Sequence, residues 1–169
     1  MIEQLARLWP AAPLPFWALL AACLYLLAVG ARLSWIDART HRLPNRIVFP
    51  AYAVASALLS TAALAAGDLA RLWGVAAGGA VLWAFYFLVR FIHPAGMGFG
   101  DVKLAGVLGM YLGYLGFGQL LWATLAAFAL GGLYGLLLLA LRRGTLKSAI
   151  PFGPFMVLGA IAAMLPAAS

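Results

Sequence analysis

The chain has 169 residues, of which 66% are hydrophobic and 9% charged, and its formal net charge is +7. A soluble domain carries about 25% charged residues and could not bury this much apolar surface. The composition therefore excludes a soluble protein and predicts one domain, residues 1–169, embedded in a lipid bilayer.

Six apolar runs of roughly membrane-spanning length follow one another along the chain, since a span takes about 20 residues. They predict an all-α fold, a polytopic transmembrane helical bundle of about six spans. In chain order the predicted spans are residues 14–35, 47–66, 69–92, 102–115, 117–141 and 150–165. The segment before the first span contains Glu3 and is expected to be frayed. The first span is expected to stay in the protein rather than be cleaved as a signal.

Glycine pairs four residues apart occur in three of the predicted spans. They are Gly74 and Gly78, Gly109 and Gly113, and Gly131 and Gly135. Small residues at this spacing lie on one helix face and let neighbouring helices approach closely. We interpret them as packing positions.

Lysine and arginine concentrate on one side of the predicted bundle. Nine of the eleven lie in or beside the loops 37–46, 93–100 and 142–147: Arg32, Arg39, Arg42, Arg46, Arg90, Lys103, Arg142, Arg143 and Lys147. The opposite side holds Arg7 and Arg71. The positive-inside rule places the richer side in the cytoplasm and accounts for the positive charge without a nucleic-acid partner.

Two of the four acidic residues, Asp37 and Asp101, fall where a predicted span meets the cytoplasmic border. Asp68 lies in a Gly-Asp turn on the other side and is predicted to cap the third span. Ionisable groups at the membrane are costly unless they are solvated, paired or used in chemistry. Taken alone, Asp37 could form an ion pair with a nearby arginine, and Asp101 could cap a helix.

As a pair, the two aspartates indicate acid–base catalysis. Two carboxylates close together do not ionise independently, so one retains a proton. The ionised member can take a proton from a water that attacks a peptide carbonyl, and the protonated member can act as the acid. No cofactor and no metal are required, and the motifs of zinc and serine hydrolases are missing from the sequence.

Three segments of the chain contain distinctive motifs. Gly98 to Leu104 reads GFGDVKL, Asp37 is followed by Pro44 and Asn45, and Ile150 to Phe155 reads IPFGPF. In order and spacing these segments resemble the type IV prepilin peptidases, which are membrane aspartyl proteases of the GxGD kind. The first is similar to the family's GxGDxKL signature, the second to its first aspartate box, and the third to the PFGP element of its last helix.

The resemblance implies Asp37 and Asp101 as the catalytic pair. Gly98 and Gly100 would shape the loop, and Lys103 would support it by pairing with a carboxylate or with the backbone. The positioning residues would be Pro44, Asn45, Pro151, Gly153 and Pro154.

The resemblance also implies a prepilin or pseudopilin substrate, cut at the cytoplasmic face of a bacterial inner membrane, with pilus or secretion machinery as a further partner. The compact form resembles the peptidases of Tad/Flp pilus systems and also archaeal preflagellin peptidases, and the Ala- and Leu-rich composition favours a bacterial inner membrane. Long family members carry paired CxxC motifs associated with methylation, and the chain has one cysteine, Cys23. We therefore expect peptidase activity without methyltransferase activity.

Two other interpretations use the same features. A proton-coupled transporter or channel could also use membrane aspartates, although it predicts acids nearer mid-span and a structural repeat. A structural subunit of a secretion complex would need no catalytic pair.

Overall fold

The computed structural model of the protein describes residues 1–9, 13–94, 96–142 and 150–165. Within these ranges the regular elements are seven α-helices and no strand. The helices are α1 (Ile2–Leu8), α2 (Pro13–Thr40), α3 (Asn45–Ala65), α4 (Leu69–Ile92), α5 (Phe99–Leu115), α6 (Phe117–Ala140) and α7 (Gly153–Met164). The predicted all-α membrane bundle is confirmed. Of the predicted basic loop 142–147, only Arg142 lies in the described residues.

Two helix ends differ from the sequence prediction in ways that matter for the site. Helix α2 continues to Thr40, so Asp37 lies in its last turn rather than at the start of a loop. His41 closes the helix with a positive φ of 50°, and its backbone N–H donates to the carbonyl of Asp37 over 2.8 Å. Helix α5 begins at Phe99, so Gly100 is helical rather than part of a loop.

The segment around Glu3 is helical, and the expectation of a frayed N-terminus was wrong. Helix α1 covers Ile2–Leu8. The amino group of Met1 is buried and donates to the carbonyl of Met164 at the end of α7 over 3.0 Å. This contact explains the difference, because the terminus is fixed by a partner 163 residues away that no local pattern reveals.

In the part of the chain that the structure describes, four helices are long and apolar enough to cross a membrane: α2, α3, α4 and α6. The other two predicted spans correspond to shorter helices, α5 with 17 residues and α7 with 12. At 1.5 Å per residue α5 is about 26 Å long, against a hydrocarbon core of about 30 Å. Thirteen of its residues are buried, which makes α5 a central helix that is shielded by its neighbours from lipid.

Short connections make the long helices alternate in direction, so the bundle has two ends. One end carries the last turn of α2, the first turns of α3, α5 and α7, and the last turn of α4. The opposite end carries Asp68, which accepts hydrogen bonds from the backbone and the side chain of Arg71. The predicted cap of α4 is confirmed, and these hydrogen bonds lower the pKa of Asp68.

Helices α4 and α5 touch backbone to backbone along their glycine pairs. A Cβ atom added to Gly74 would collide with the carbonyl of Gly113, and one added to Gly78 would collide with that of Gly109. The predicted close approach is confirmed for these two pairs. On α6, Gly131 makes room instead for the ring of Phe152. Glycine therefore sets how closely α5 packs against α4.

We expect Gly109→Ala to destabilise the bundle by about 1–3 kcal/mol, because a well-packed interface has no room for the added methyl group. That group would lie 2.9 Å from the Cβ of Leu82 and overlap the Gly78 carbonyl. The measurement is the thermal unfolding midpoint in detergent. Gly132→Ala on α6 is the matched control, because nothing lies within 4 Å of its added Cβ. Equal midpoints for both variants would contradict the proposed packing.

Candidate active site

One open cavity of about 480 Å³ contains both predicted catalytic residues. Asp37 and Asp101 are 5% and 8% exposed, and they are the buried charged residues of the described chain. They come from the end of α2 and the start of α5, and Asp37 is near enough to act electrostatically on Asp101. The fold thus brings together two acids that are 64 positions apart in the sequence.

The Asp37 carboxylate is held by the first residue of α7. The backbone N–H of Gly153 donates to Asp37 Oδ2 over 2.9 Å. A Cβ added to Gly153 would lie at the same distance, 2.9 Å, from this oxygen. The negative end of its own helix dipole disfavours the charged form of Asp37, and the positive N-terminal end of α7 offsets this effect. The described residues form no salt bridge to Asp37, so an ion pair with Arg39 or Arg42 is not observed.

The sequence around Gly153 places the start of α7 at this point. Pro154 lies in the first turn, where its missing N–H would have no helical partner in any case. Pro151 precedes Phe152, whose ring packs 5.1 Å from that of Phe128 and 6.2 Å from that of Tyr86. The aromatic contacts fix Phe152 to α4 and α6, and thereby fix the adjacent Gly153 N–H.

The Asp101 carboxylate is held by the start of its own helix. Asp101 is the third residue of α5, and its Oδ2 accepts from the backbone N–H of Gly98, the N-cap residue, over 3.1 Å. This is the side-chain-to-backbone half of a capping box, in which the residue at N3 reaches back to the N-cap. Asp101 does therefore contribute to helix capping, although its side chain also lines the cavity.

Gly100 brings the start of α5 against the loop that follows α2. A Cβ added to Gly100 would lie 2.9 Å from the Cβ of Leu43. Pro44 follows Leu43 and is the N-cap of α3, with extended φ and ψ angles of −70° and 128°. The glycine thus lets the two aspartate-bearing segments approach each other.

Lys103 links the GFGDVKL segment to the segment that contains Pro44 and Asn45, but its partner is not a carboxylate. Its ammonium donates to Asn45 Oδ1 over 2.9 Å and lies 4.8 Å and 5.0 Å from the ring centroids of Phe99 and Phe49. The Lys103 carbonyl accepts from the hydroxyl of Tyr52 over 2.6 Å. Helices α3 and α5 are therefore tied at the edge of the cavity by an amide partner rather than by the expected carboxylate or backbone.

Several residues of the site were not singled out by the sequence. His41, Arg42, Leu43 and Phe99 also line the cavity. Arg90 at the end of α4 donates to the carbonyl of Met97 and so braces the loop before Gly98. The sequence carries a weak signal for Arg90, a basic residue in the last turn of a helix. Nothing local signals the left-handed conformation of His41.

The cavity that the two carboxyl groups line has room for a water molecule. Each carboxyl uses one oxygen to accept a backbone N–H at a helix N-terminus, and both face a space open to solvent. This geometry suits proton transfer to and from a reacting carbonyl that enters the cavity.

Comparison with known proteins adds independent findings. The family model described as the type IV leader peptidase family matches residues 20–136. Three proteins named prepilin leader peptidase/N-methyltransferase are 31%, 33% and 32% identical to the chain, from Stutzerimonas stutzeri, Escherichia coli strain K12 and Pseudomonas aeruginosa. The alignments cover 86%, 87% and 86% of this chain, but only 50%, 64% and 49% of those relatives. No solved structure matches the chain.

If the cavity is as described, cysteines placed at its two acids should be joined by a short bifunctional thiol reagent. We expect Asp37→Cys with Asp101→Cys, in a Cys23→Ala background, to give a linked pair of peptides by mass spectrometry. Asp37→Cys with Asp68→Cys is the matched control, because Asp68 lies at the opposite end of the bundle. Equal linking in both pairs, or linking in the control alone, would exclude a shared cavity.

Proposed function

The chain belongs to the type IV leader peptidase family, and we propose that it is an aspartic endopeptidase that removes the leader peptide from prepilins or pseudopilins. The observation that supports this most directly is the pair of buried carboxylates, Asp37 and Asp101, lining one cavity open to solvent. The names of the relatives support the choice of substrate. We assign the catalytic roles to these two residues.

In the proposed mechanism, the two carboxyl groups share one proton. The ionised carboxylate accepts a proton from a water molecule, and the resulting hydroxide attacks the carbonyl carbon of the scissile peptide bond. The protonated carboxyl donates its proton to the developing oxyanion. When the tetrahedral intermediate collapses, the C–N bond breaks and the leaving nitrogen receives the proton that the first carboxylate took up. As the C=O bond re-forms, one hydroxyl group of the intermediate returns its proton to the second carboxylate. Both groups are then ready for another cycle.

Water and substrate must reach the same point for this chemistry. A prepilin is a helix in the bilayer with a leader outside it, so the cut falls at the membrane border. Carbonyl groups within a helix are already hydrogen-bonded, and a glycine before the cut would favour local unwinding. The cavity lies at the end of the bundle, where α3, α5 and α7 begin, and not in the middle of a span.

We propose that this end faces the cytoplasm of a bacterial cell, with the protein in the inner membrane. The support is the excess of lysine and arginine at this end, which includes Arg39, Arg42, Arg46, Arg90 and Lys103. The positive-inside rule assigns such an end to the cytoplasm. Pilus or secretion machinery is a further partner that follows from the proposed substrate.

The remaining predicted residues receive positioning roles in this proposal. Gly98 and Gly153 present their N–H groups to the catalytic oxygens. Gly100 allows the close approach of the two segments, and Lys103 with Asn45 joins them at the side. Pro44, Pro151 and Pro154 fix the entries to α3 and α7.

The transporter interpretation fits these positions less well. It requires acids near the centre of a span, whereas Asp37 lies in the last turn of α2 and Asp101 in the first turn of α5. The solvent-open cavity at the bundle end equally argues against a purely structural subunit, which would have no use for two buried acids.

Replacing either acid should abolish cleavage. We expect Asp37→Asn and Asp101→Asn each to lower the rate of leader removal by at least about 100-fold, because each removes one partner in proton transfer. The measurement is the shift of a co-expressed prepilin on a gel, with equal amounts of each variant in the membrane. Asp68→Asn is the control and should cleave normally, since asparagine also caps helices. Wild-type cleavage by either site variant would refute the catalytic pair.

A subtler change tests the positioning of Asp37. Gly153→Ala should lower the cleavage rate by up to about 100-fold, because a displacement of about 1 Å is enough for a loss of that size. The added methyl group would lie 2.9 Å from Asp37 Oδ2 and force that carboxylate to move. Gly132→Ala has open space around it and should cleave at the wild-type rate. Unchanged kcat in Gly153→Ala would mean that the hydrogen bond does not position a catalytic group.

A further inference from the structure

A second cavity lies next to the candidate active site and faces outward between α3, α4 and α5. Its volume is about 470 Å³. We call it the aromatic groove, and its lining includes Phe49, Tyr52, Gly79, Ala80, Trp83 and Phe99. Phe49, Phe99 and Trp83 are 55%, 43% and 37% exposed, so the walls of the groove are accessible from outside the bundle.

From these features, and resting on the function proposed above, we propose that the aromatic groove holds the apolar membrane helix of the substrate while the adjacent peptide bond enters the aspartate cavity.

The groove adjoins the aspartate cavity. Phe99 lines both spaces, and Lys103, which lines the groove, is hydrogen-bonded to Asn45, which lines the aspartate cavity. A chain segment lying in the groove would therefore reach the two carboxylates without crossing another helix.

The shape and chemistry of the groove suit a helix. Ala80, beside Gly79, is a small exposed residue on α4, and aromatic rings from α3, α4 and α5 line the same groove. A polypeptide in the hydrocarbon region must satisfy its backbone internally and is therefore helical. Small residues allow such a helix to approach the enzyme closely.

The polar groups at the groove already have partners inside the enzyme. The Tyr52 hydroxyl donates to the Lys103 carbonyl, and the Lys103 ammonium is held by Asn45 between two rings. The groove therefore offers an occupant mainly apolar and aromatic contacts. This chemistry matches a membrane helix and not the polar leader, which would lie on the other side of the cut.

Filling the groove should weaken processing without touching the catalytic pair. We expect Ala80→Trp to lower the cleavage of a membrane-embedded prepilin about tenfold, the equivalent of one well-packed contact, mainly through a higher KM. Val81→Trp is the matched control. It adds the same side chain one residue later, about 100° around the helix, where Val81 lines a different surface with Phe117 and Leu121. Both variants should keep the wild-type thermal midpoint.

A second experiment identifies the occupant directly. A photo-reactive residue in place of Trp83, in the Asp101→Asn background, should cross-link to the apolar segment of prepilin, whereas the same residue in place of Val81 should not.

Cross-linking to lipid alone, or equally from both positions, would overturn the groove proposal. So would equal KM values for Ala80→Trp and Val81→Trp. Cleavage of prepilin by the wild-type protein tests the proposed function separately. If the wild type cleaves prepilin, the proposed function stands even when the groove proposal fails. If the wild type does not cleave prepilin, the proposed function itself is refuted.

Discussion

Two backbone hydrogen bonds hold the acids on which the proposed chemistry depends. Gly153 N–H binds Asp37 and Gly98 N–H binds Asp101, each at the N-terminus of a helix. Buried carboxylates in proteins are commonly balanced by lysine or arginine, but an opposite charge nearby favours the ionised form of the carboxylate. One N–H leaves each carboxyl group free to exchange a proton. The positions of α5 and α7 therefore determine where these two N–H groups hold the carboxyl groups.

This form of support explains why glycine occurs where it does. At Gly153 and Gly98 an added Cβ would lie 2.9 Å and 3.1 Å from the carboxylate oxygen that the same residue binds. A Cβ added at Gly100 would clash with Leu43, and one added at Gly109 would clash with Gly78 of α4. These four positions limit three different distances, from amide to acid, from α5 to the α2–α3 loop, and from α5 to α4. Helix propensity alone would favour alanine at Gly109, so close packing outweighs local preference there.

The sequence predicts the helices well, and it singles out the two acids, because both leave strong local signals. Long apolar runs mark the spans, and aspartate is conspicuous in a chain with four acidic residues. What it does not predict depends on distant partners. The contact between Gly153 and Asp37 joins residues 116 positions apart, and that between Lys103 and Asn45 joins residues 58 apart. The end of α2 has a different origin: the helix closes at His41 with a positive φ, which is uncommon for residues other than glycine.

An enzyme in a bilayer that uses water must keep its polar groups close to the lipid without exposing these groups to the lipid. The short helix α5 meets this requirement. Because its flanks are covered by its neighbours, it need not match the bilayer thickness, and its first turn can carry Asp101 at the floor of a cavity open to solvent. The aromatic groove adjoins the same turn, and Phe99 lines both spaces. This turn thus lies between a space open to solvent and an apolar surface, as the proposed cleavage at the end of a membrane helix requires.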